Sequence, residues 1–278
     1  MRAVSLHRDV IVVTSAVLHV NCIVVRGGGG EDGEIGMERT GGAEPRDEAF
    51  VIDSPVLPDE LDALPTLLEQ AQFPAPSGLL ATHGDWDHLL GRLAFPGVAL
   101  GCAESTAERL RASPGAAQRE LRAFDEELLI ERDRPLTLDS VQALPVPGRC
   151  DIGDLELELH PAAGHTADGM AVWIPWARVL VAGDYLSTLE IPTLNDGGDL
   201  DAYIATLDRL RPLVAVSEHV VPGHGPALEG SRALAVLDED TGYMRSLAER
   251  GANAEPHDRC RNKVQRAMHA QNLTHIAT

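Results

Sequence analysis

The chain has 278 residues, a formal net charge of −20 and 44% hydrophobic residues. This length and apolar share suit one α/β domain with a substantial core. The acidity excludes general affinity for nucleic acid or anionic membrane, and Lys263 is the sole lysine, so no basic block offsets it.

Val10 to Val25 is apolar but interrupted by Thr14, Ser15, His19 and Asn21, and Asp9 precedes it. It reads as a β-hairpin rather than a signal peptide or membrane span. Strands are expected over Val17–Arg26 and Glu48–Asp53, separated by a Gly- and Glu-rich stretch, 27–46, that reads as a mobile surface loop able to cover a site. Pro58 starts a helix with Leu61, Leu64, Leu67 and Leu68, and Pro65 is expected to kink or divide it.

The apolar run Gly78–Ala81 reads as a strand delivering the stretch 82–91, Thr-His-Gly-Asp-Trp-Asp-His-Leu-Leu-Gly. His83, Asp85, Asp87 and His88 lie within six positions and offer the nitrogen and oxygen donors a borderline divalent metal prefers. In an extended chain His83 and Asp85 share a face, while Asp87 and His88 point apart and could serve two ions. The alternative is a polar loop whose side chains cap the next helix.

Further along, a strand over Val98–Gly101 and a helix over Ser105–Ala112 are expected. A second helix, 116–132, carries Leu121, Phe124, Leu128 and Leu129 at helical spacing. Its charged face (Glu120, Asp125, Glu126, Glu127) reads as solvated surface, or as an accessory helix flanking a site entrance or a dimer contact.

Leu155, Leu157 and Leu159 alternate with polar residues before Gly164-His165-Thr166. Arg178–Ala182 precedes Gly183-Asp184-Tyr185, and Val220-Val221 precedes Pro222-Gly223-His224-Gly225. Each places one candidate ligand at the end of a β-like run. Helices are expected over Leu200–Leu210 and Ser231–Arg250, with a C-terminal extension over 252–278 ending in a last helix with a frayed tail. His257, His269 and His275 read as surface residues, and His7, His19, His160 and His219 as structural ones. Cys22, Cys102, Cys150 and Cys260 form no C-x-x-C and read as ordinary thiols of a reducing, cytoplasmic compartment.

The order Thr-His-x-Asp-x-Asp-His, Gly-His-Thr, Gly-Asp and Gly-His-Gly resembles that of the metallo-β-lactamase-fold hydrolases, with spacing most like their glyoxalase II and lactonase-like branches. The resemblance implies a four-layer αβ/βα sandwich, two mixed β-sheets flanked by helices. It also implies a dinuclear site: His83, Asp85 and His165 for the first metal, Asp87, His88 and His224 for the second, and Asp184 bridging. Asp53 falls where relatives orient a metal ligand, with a turn residue before Pro55 as the alternative. Tyr185 falls where lactonase-like relatives stabilise an oxyanion, although a side chain there could instead enter the core.

Asp85 departs from the usual His. Two divalent ions balance Asp85, Asp87, Asp184 and a bridging hydroxide, so the core is expected to be near neutral, less welcoming to anionic substrates and open to Mn or Fe beside Zn. The expected function is metal-dependent hydrolysis of a small carboxylic ester, thioester or lactone, with Asp87 orienting the hydroxide and handling its proton. The alternatives are a phosphodiesterase or nuclease, and a di-iron redox protein. The expected partner is a small-molecule substrate, with no nucleic acid and no membrane. A homodimer is one oligomeric state the chain admits.

Overall fold

Period-two alternation decides how the strands pack. Along β2 (Val10–Thr14), Val10 and Val12 enter one apolar cluster while Ile11 and Val13 enter another. In the computed structural model, which describes residues 1–28, 47–138 and 140–277, the same split recurs in both sheets. The result is an apolar layer between the sheets and one on the outer face of each.

The first sheet runs β1 (Arg2–His7), β2, β3 (Asn21–Gly27), β4 (Glu48–Ile52), β5 (Pro76–Ala81), β6 (Leu100–Ala103) and β7 (Val141–Leu144). Its first four strands are antiparallel, and β4 to β7 are parallel. The second runs β8 (Gly148–Ile152), β9 (Leu155–Pro161), β10 (Met170–Ile174), β11 (Val179–Gly183), β12 (His219–Pro222) and β13 (Leu228–Glu229). All its pairs are antiparallel except β11 with β12. Ile23, Val25, Ile52 and Leu80 meet Leu157, Leu159, Val172 and Val181 between the two sheets. A fully buried side chain of this size stabilises the fold by about 1.5–3 kcal/mol.

Helices cover both outer faces. On the first sheet α1 (Pro58–Gln70), α2 (Gly91–Ala94), α3 (Glu104–Ala112) and α4 (Ala116–Leu128) bury Leu61, Leu64, Leu93, Ala107 and Leu121. On the second, α5 (Leu200–Val216) and α6 (Gly230–Arg250) bury Tyr203, Leu207, Val236 and Met244, and α7 (Lys263–His275) packs Met268 and Leu273 against them. No helix among the described residues is long and apolar enough to cross a membrane.

Several expectations need correction. The hairpin forms, but β3 starts at Asn21 because Leu18 and His19 adopt positive φ in the turn. Pro65 does not divide α1, since Leu61 and Leu64 before it and Leu68 after it all anchor in one core. The helix expected over 116–132 stops at Leu128, where Leu129 turns left-handed (φ 55°) and faces solvent. His257 and His269 are buried rather than on the surface: His257 meets Asp240, and His269 meets the Tyr243 hydroxyl at 2.8 Å. Of the expected loop over 27–46, residues 29–46 lie outside the described residues.

Candidate metal centre

Strands β9, β11 and β12 run in one direction, so their C-terminal ends open on one edge of the second sheet. The segment beyond β5 meets them from the first sheet, tied by Met170 N donating to Thr82 O at 2.7 Å. His83, Asp85, Asp87, His88, His165, Asp184 and His224 converge there in overlapping groups whose ligand atoms lie within 4.8 Å of one another.

The four imidazoles are held alike. His88 Nδ1 lies 2.9 Å from Asp53 Oδ2, His165 Nδ1 2.8 Å from Thr193 O, and His224 Nδ1 2.8 Å from Leu18 O. His83 Nδ1 lies 3.1 Å from Thr82 Oγ1, whose own hydrogen goes to Asp53 Oδ2 at 2.8 Å. A ring that donates through Nδ1 turns the lone pair of Nε2 inward, the arrangement of a metal-ligating histidine. His83 Nε2, His88 Nε2 and Asp184 Oδ1 are buried and have no hydrogen-bond partner among the described residues. Such atoms carry a desolvation cost that a cation between them removes.

The spacing fits. Tetrahedral bonds of metal–nitrogen length put ligand atoms about 3.3 Å apart. His165 Nε2 lies 3.3 Å from Asp184 Oδ2, and His83 Nε2 lies 3.6 Å from Asp85 Oδ2 and 3.7 Å from Asp184 Oδ2. In the other group His88 Nε2 lies 3.2 Å from Asp184 Oδ1, and His224 Nε2 lies 3.5 Å from Asp87 Oδ2 and 3.3 Å from Asp184 Oδ2. Burial opposes charge on the rings, yet Asp184 beside both raises His165 and His224 to about 10. Burial likewise opposes charge on Asp85, but His165 and His83 hold it well below the usual carboxylate range. The field that draws protons onto these rings also attracts a divalent cation.

The supports come from distant parts of the chain. Asp53 takes a positive φ at the end of β4 and accepts from Thr82 N at 2.8 Å, so one carboxylate orders the start of the ligand loop and orients His88. Asn21 Nδ2 donates to Pro222 O and Gly225 O, bracketing His224. Gly223 leaves room for Asp184, because a Cβ there would collide with Asp184 Oδ1. Gly164, at φ 131°, lies against the Tyr203 backbone, where any side chain would clash.

Tyr185 does not reach the site. It is 2% exposed and stacks on Tyr203; its hydroxyl accepts from His165 N at 3.1 Å and donates to Ala162 O. The residue after Asp184 points into the core, so Tyr185 fixes the His165 backbone instead of meeting a substrate oxygen.

Four neighbours carry no signal in the sequence. Arg109 of α3 pairs with Asp85 and with Asp168, and Asp168 Oδ2 accepts from Gly84 N at 2.9 Å. Asn195 contacts Asp85 and His165. Glu190 lies 3.9 Å from His224 Nδ1 and completes a further group with Asp184. None sits in a motif; only the folded chain places them here. Trp86 packs on Phe124 of α4 at 4.7 Å, so that helix borders the site on its apolar side while Glu120, Glu126 and Glu127 stay exposed.

A family model described as the metallo-beta-lactamase superfamily matches residues 44–224. The chain belongs to that superfamily. A metallo-beta-lactamase type 2 from Bacteroides fragilis is 30% identical over 100 residues, which span 32% of this chain and 40% of that relative. Among solved structures, a metallo-beta-lactamase from Pontibacter korlensis aligns with a TM-score of 0.57 at 21% identity, covering 85% of this chain and 98% of its own. A metallo-beta-lactamase family protein from Thermus thermophilus aligns at 0.64 with 17% identity, covering 88% and 82%. At these identities the structures establish the shared fold: two mixed sheets flanked by helices. The superfamily is in general one of metal-dependent hydrolases, and the His and Asp groups here are suited to holding metal.

Proposed function

We propose that the chain is a metal-dependent hydrolase acting on a small carboxylic ester, thioester or lactone. The observation that carries this reading is the set of inward Nε2 atoms facing three carboxylates, with each Nδ1 tied to an acceptor behind it. His83, Asp85 and His165 would hold one divalent ion, Asp87, His88 and His224 a second, with Asp184 between them. Zinc is the first choice, and the three carboxylates also accommodate Mn or Fe. Such ions, when bound, supply a water acidic enough to give hydroxide near neutral pH and a Lewis acid for the carbonyl oxygen.

The remaining work falls to the chain. Asp87, with its side chain 11% exposed, faces His88 and His224 and takes the proton of the attacking water. Asp53 keeps His88 in the tautomer that presents Nε2. A cavity of about 420 Å³, lined in part by Ala16, His19, Leu189, Gly225 and Pro226 and by none of the seven candidate ligands, lies on the side of the turn that holds His224. The net charge of −20 argues against a nucleic-acid substrate or an anionic membrane partner. The four cysteines are free thiols, which supports a reducing, cytoplasmic setting. We read the chain as one domain.

The test is metal content by elemental mass spectrometry beside turnover of an ester, thioester, lactone and phosphodiester panel. Asp184→Ala and His165→Ala are expected to lose both metal and hydrolysis. Full metal content with retained turnover in both variants would overturn the assignment.

A further inference from the structure

The two candidate metal positions differ in what already holds their donors. Both carboxylate oxygens of Asp85 are engaged: Oδ1 accepts from Arg109 Nη2 at 2.7 Å, and Oδ2 from Asn195 Nδ2 at 3.0 Å. The same amide lies 3.2 Å from His165 Nε2, the atom this ring offers to a metal. Asn195 is not free to turn away. Its Oδ1 accepts from Gln271 Nε2 at 3.0 Å, and its backbone N donates to His165 O at 2.8 Å. Arg109 is fixed from behind by Asp168, which is 1% exposed and also bonded to the Gly84 amide. The other position is different. His88 Nε2 is unpartnered among the described residues, as His83 Nε2 is at the first position. The Asp87 carboxylate and His224 Nε2, however, face only one another, His88 and Asp184, with no guanidinium or amide on them among the described residues, and the additional carboxylate of Glu190 stands near His224.

We propose that Arg109 and Asn195 restrain Asp85, so that the Asp87–His88–His224 position fills first and the His83–Asp85–His165 position fills only at higher metal concentration. A carboxylate whose charge a guanidinium already balances is a weaker donor, and the guanidinium repels an incoming cation. An ion at the first position must also displace the Asn195 amide from His165 Nε2. The usual effect of an outer partner is the reverse: a carboxylate behind a ligand raises its basicity and metal affinity, typically by about 10–100-fold. Here the outer partner of Asp85 is a cation, so the sign changes. Asp85 and Arg109 together offer the first position less negative charge than an unpaired carboxylate would.

This inference rests on the metal-dependent reading, and the experiment separates the two. Chelator-treated protein is titrated with Zn²⁺ or Co²⁺ against a chromophoric chelator, and occupancy is counted by elemental mass spectrometry. The wild type is expected to give two dissociation constants differing by at least about tenfold. Asp85→Ala is expected to abolish the weaker and spare the tighter. Arg109→Ala and, independently, Asn195→Ala are expected to tighten the weaker constant by about tenfold and leave the other unchanged. Asn195→Ala leaves the Arg109 pair intact, which guards against misfolding around an unpaired Asp168. Two equal constants in the wild type would overturn the inference, as would a weaker constant that is unmoved or loosened in both variants. Failure of the wild type to bind either metal would overturn the metal-centre reading and the inference with it.

Discussion

At the residue scale, Tyr185 separates two roles that a motif cannot distinguish. Its hydroxyl lies between His165 N and Ala162 O, and burial pushes the phenol well above its ordinary value. Tyr185→Phe leaves a buried amide and carbonyl less satisfied, at about 1–3 kcal/mol. The expected outcome is a lower melting temperature with kcat changed severalfold at most and metal content unchanged. Removing a true oxyanion donor costs about 10²–10³ in kcat. A loss of that size at full metal content would put Tyr185 back in contact with substrate. Asp53 teaches the complementary lesson. From the sequence it could equally be a turn residue before Pro55, and in the fold it is both: a positive-φ corner and the carboxylate that orders Thr82 and His88.

At the element scale, the centre depends on pieces that bring no ligand to it. Glu60 at the start of α1 accepts from Ser15 Oγ at 2.6 Å and Ala16 N at 2.8 Å, and so fixes the turn whose Leu18 carbonyl holds His224. Burial alone would raise the Glu60 carboxyl, but bonds led by Ser15 and Ala16 hold it below its ordinary 4.5. A carboxyl whose pKa is lower folded than unfolded adds stability above the unfolded value, and that stability is lost as pH falls through the folded one. Glu60→Gln is therefore expected to be less stable than wild type at neutral pH, with the gap closing below about pH 4.5 in thermal melts. A gap that is constant with pH would show that the charge of Glu60 is irrelevant.

Helix α7 acts similarly on the opposite wall. Asn272, fully buried, accepts from Leu194 N and donates to Pro192 O and the Tyr243 hydroxyl, while Gln265 and Gln271 bond Leu189 O and Leu194 O. These bonds shape the loop that carries Glu190, Thr193 and Asn195. Asn272→Ala is expected to cost about 1–3 kcal/mol for each partner left unsatisfied, and to alter metal affinity at the position His165 serves. Loss of stability with wild-type metal binding would confine α7 to a packing role.

At the scale of the whole molecule, the site lies where two sheets meet, so metal and fold are coupled. Ligands from both sheets close on one another only in the folded chain, and an ion that binds only that state stabilises it by mass action. The gain is about 2.7 kcal/mol at a hundredfold excess over the dissociation constant. Chelation is expected to lower the melting temperature by several degrees, and added Zn²⁺ to restore it in a concentration-dependent way. A melting temperature indifferent to both treatments would argue against a metal shared between the sheets.

The sequence by itself marked the strands that lead into the site, since alternation such as Leu155, Leu157 and Leu159 records which face is buried, whereas β1, β7, β8, β10 and β13 were not read from it. The order of its His and Asp motifs, through their resemblance to the superfamily, also pointed to the seven side chains that the fold brings together. Helix ends and the continuity of α1 through Pro65 were less legible, because tertiary packing overrides local preference there. Asp53 apart, the partners of the ligands were not legible. Arg109, Glu190 and Asn195 are ordinary surface-type residues in sequence, separated from Asp85 or His224 by 24 to 110 positions in the contacts they make, and Asp168 lies 84 positions from the Gly84 amide it holds. Only the closing of one sheet on the other brings a guanidinium to Asp85, because electrostatic pairing depends on distance in space and leaves no periodic trace along the chain.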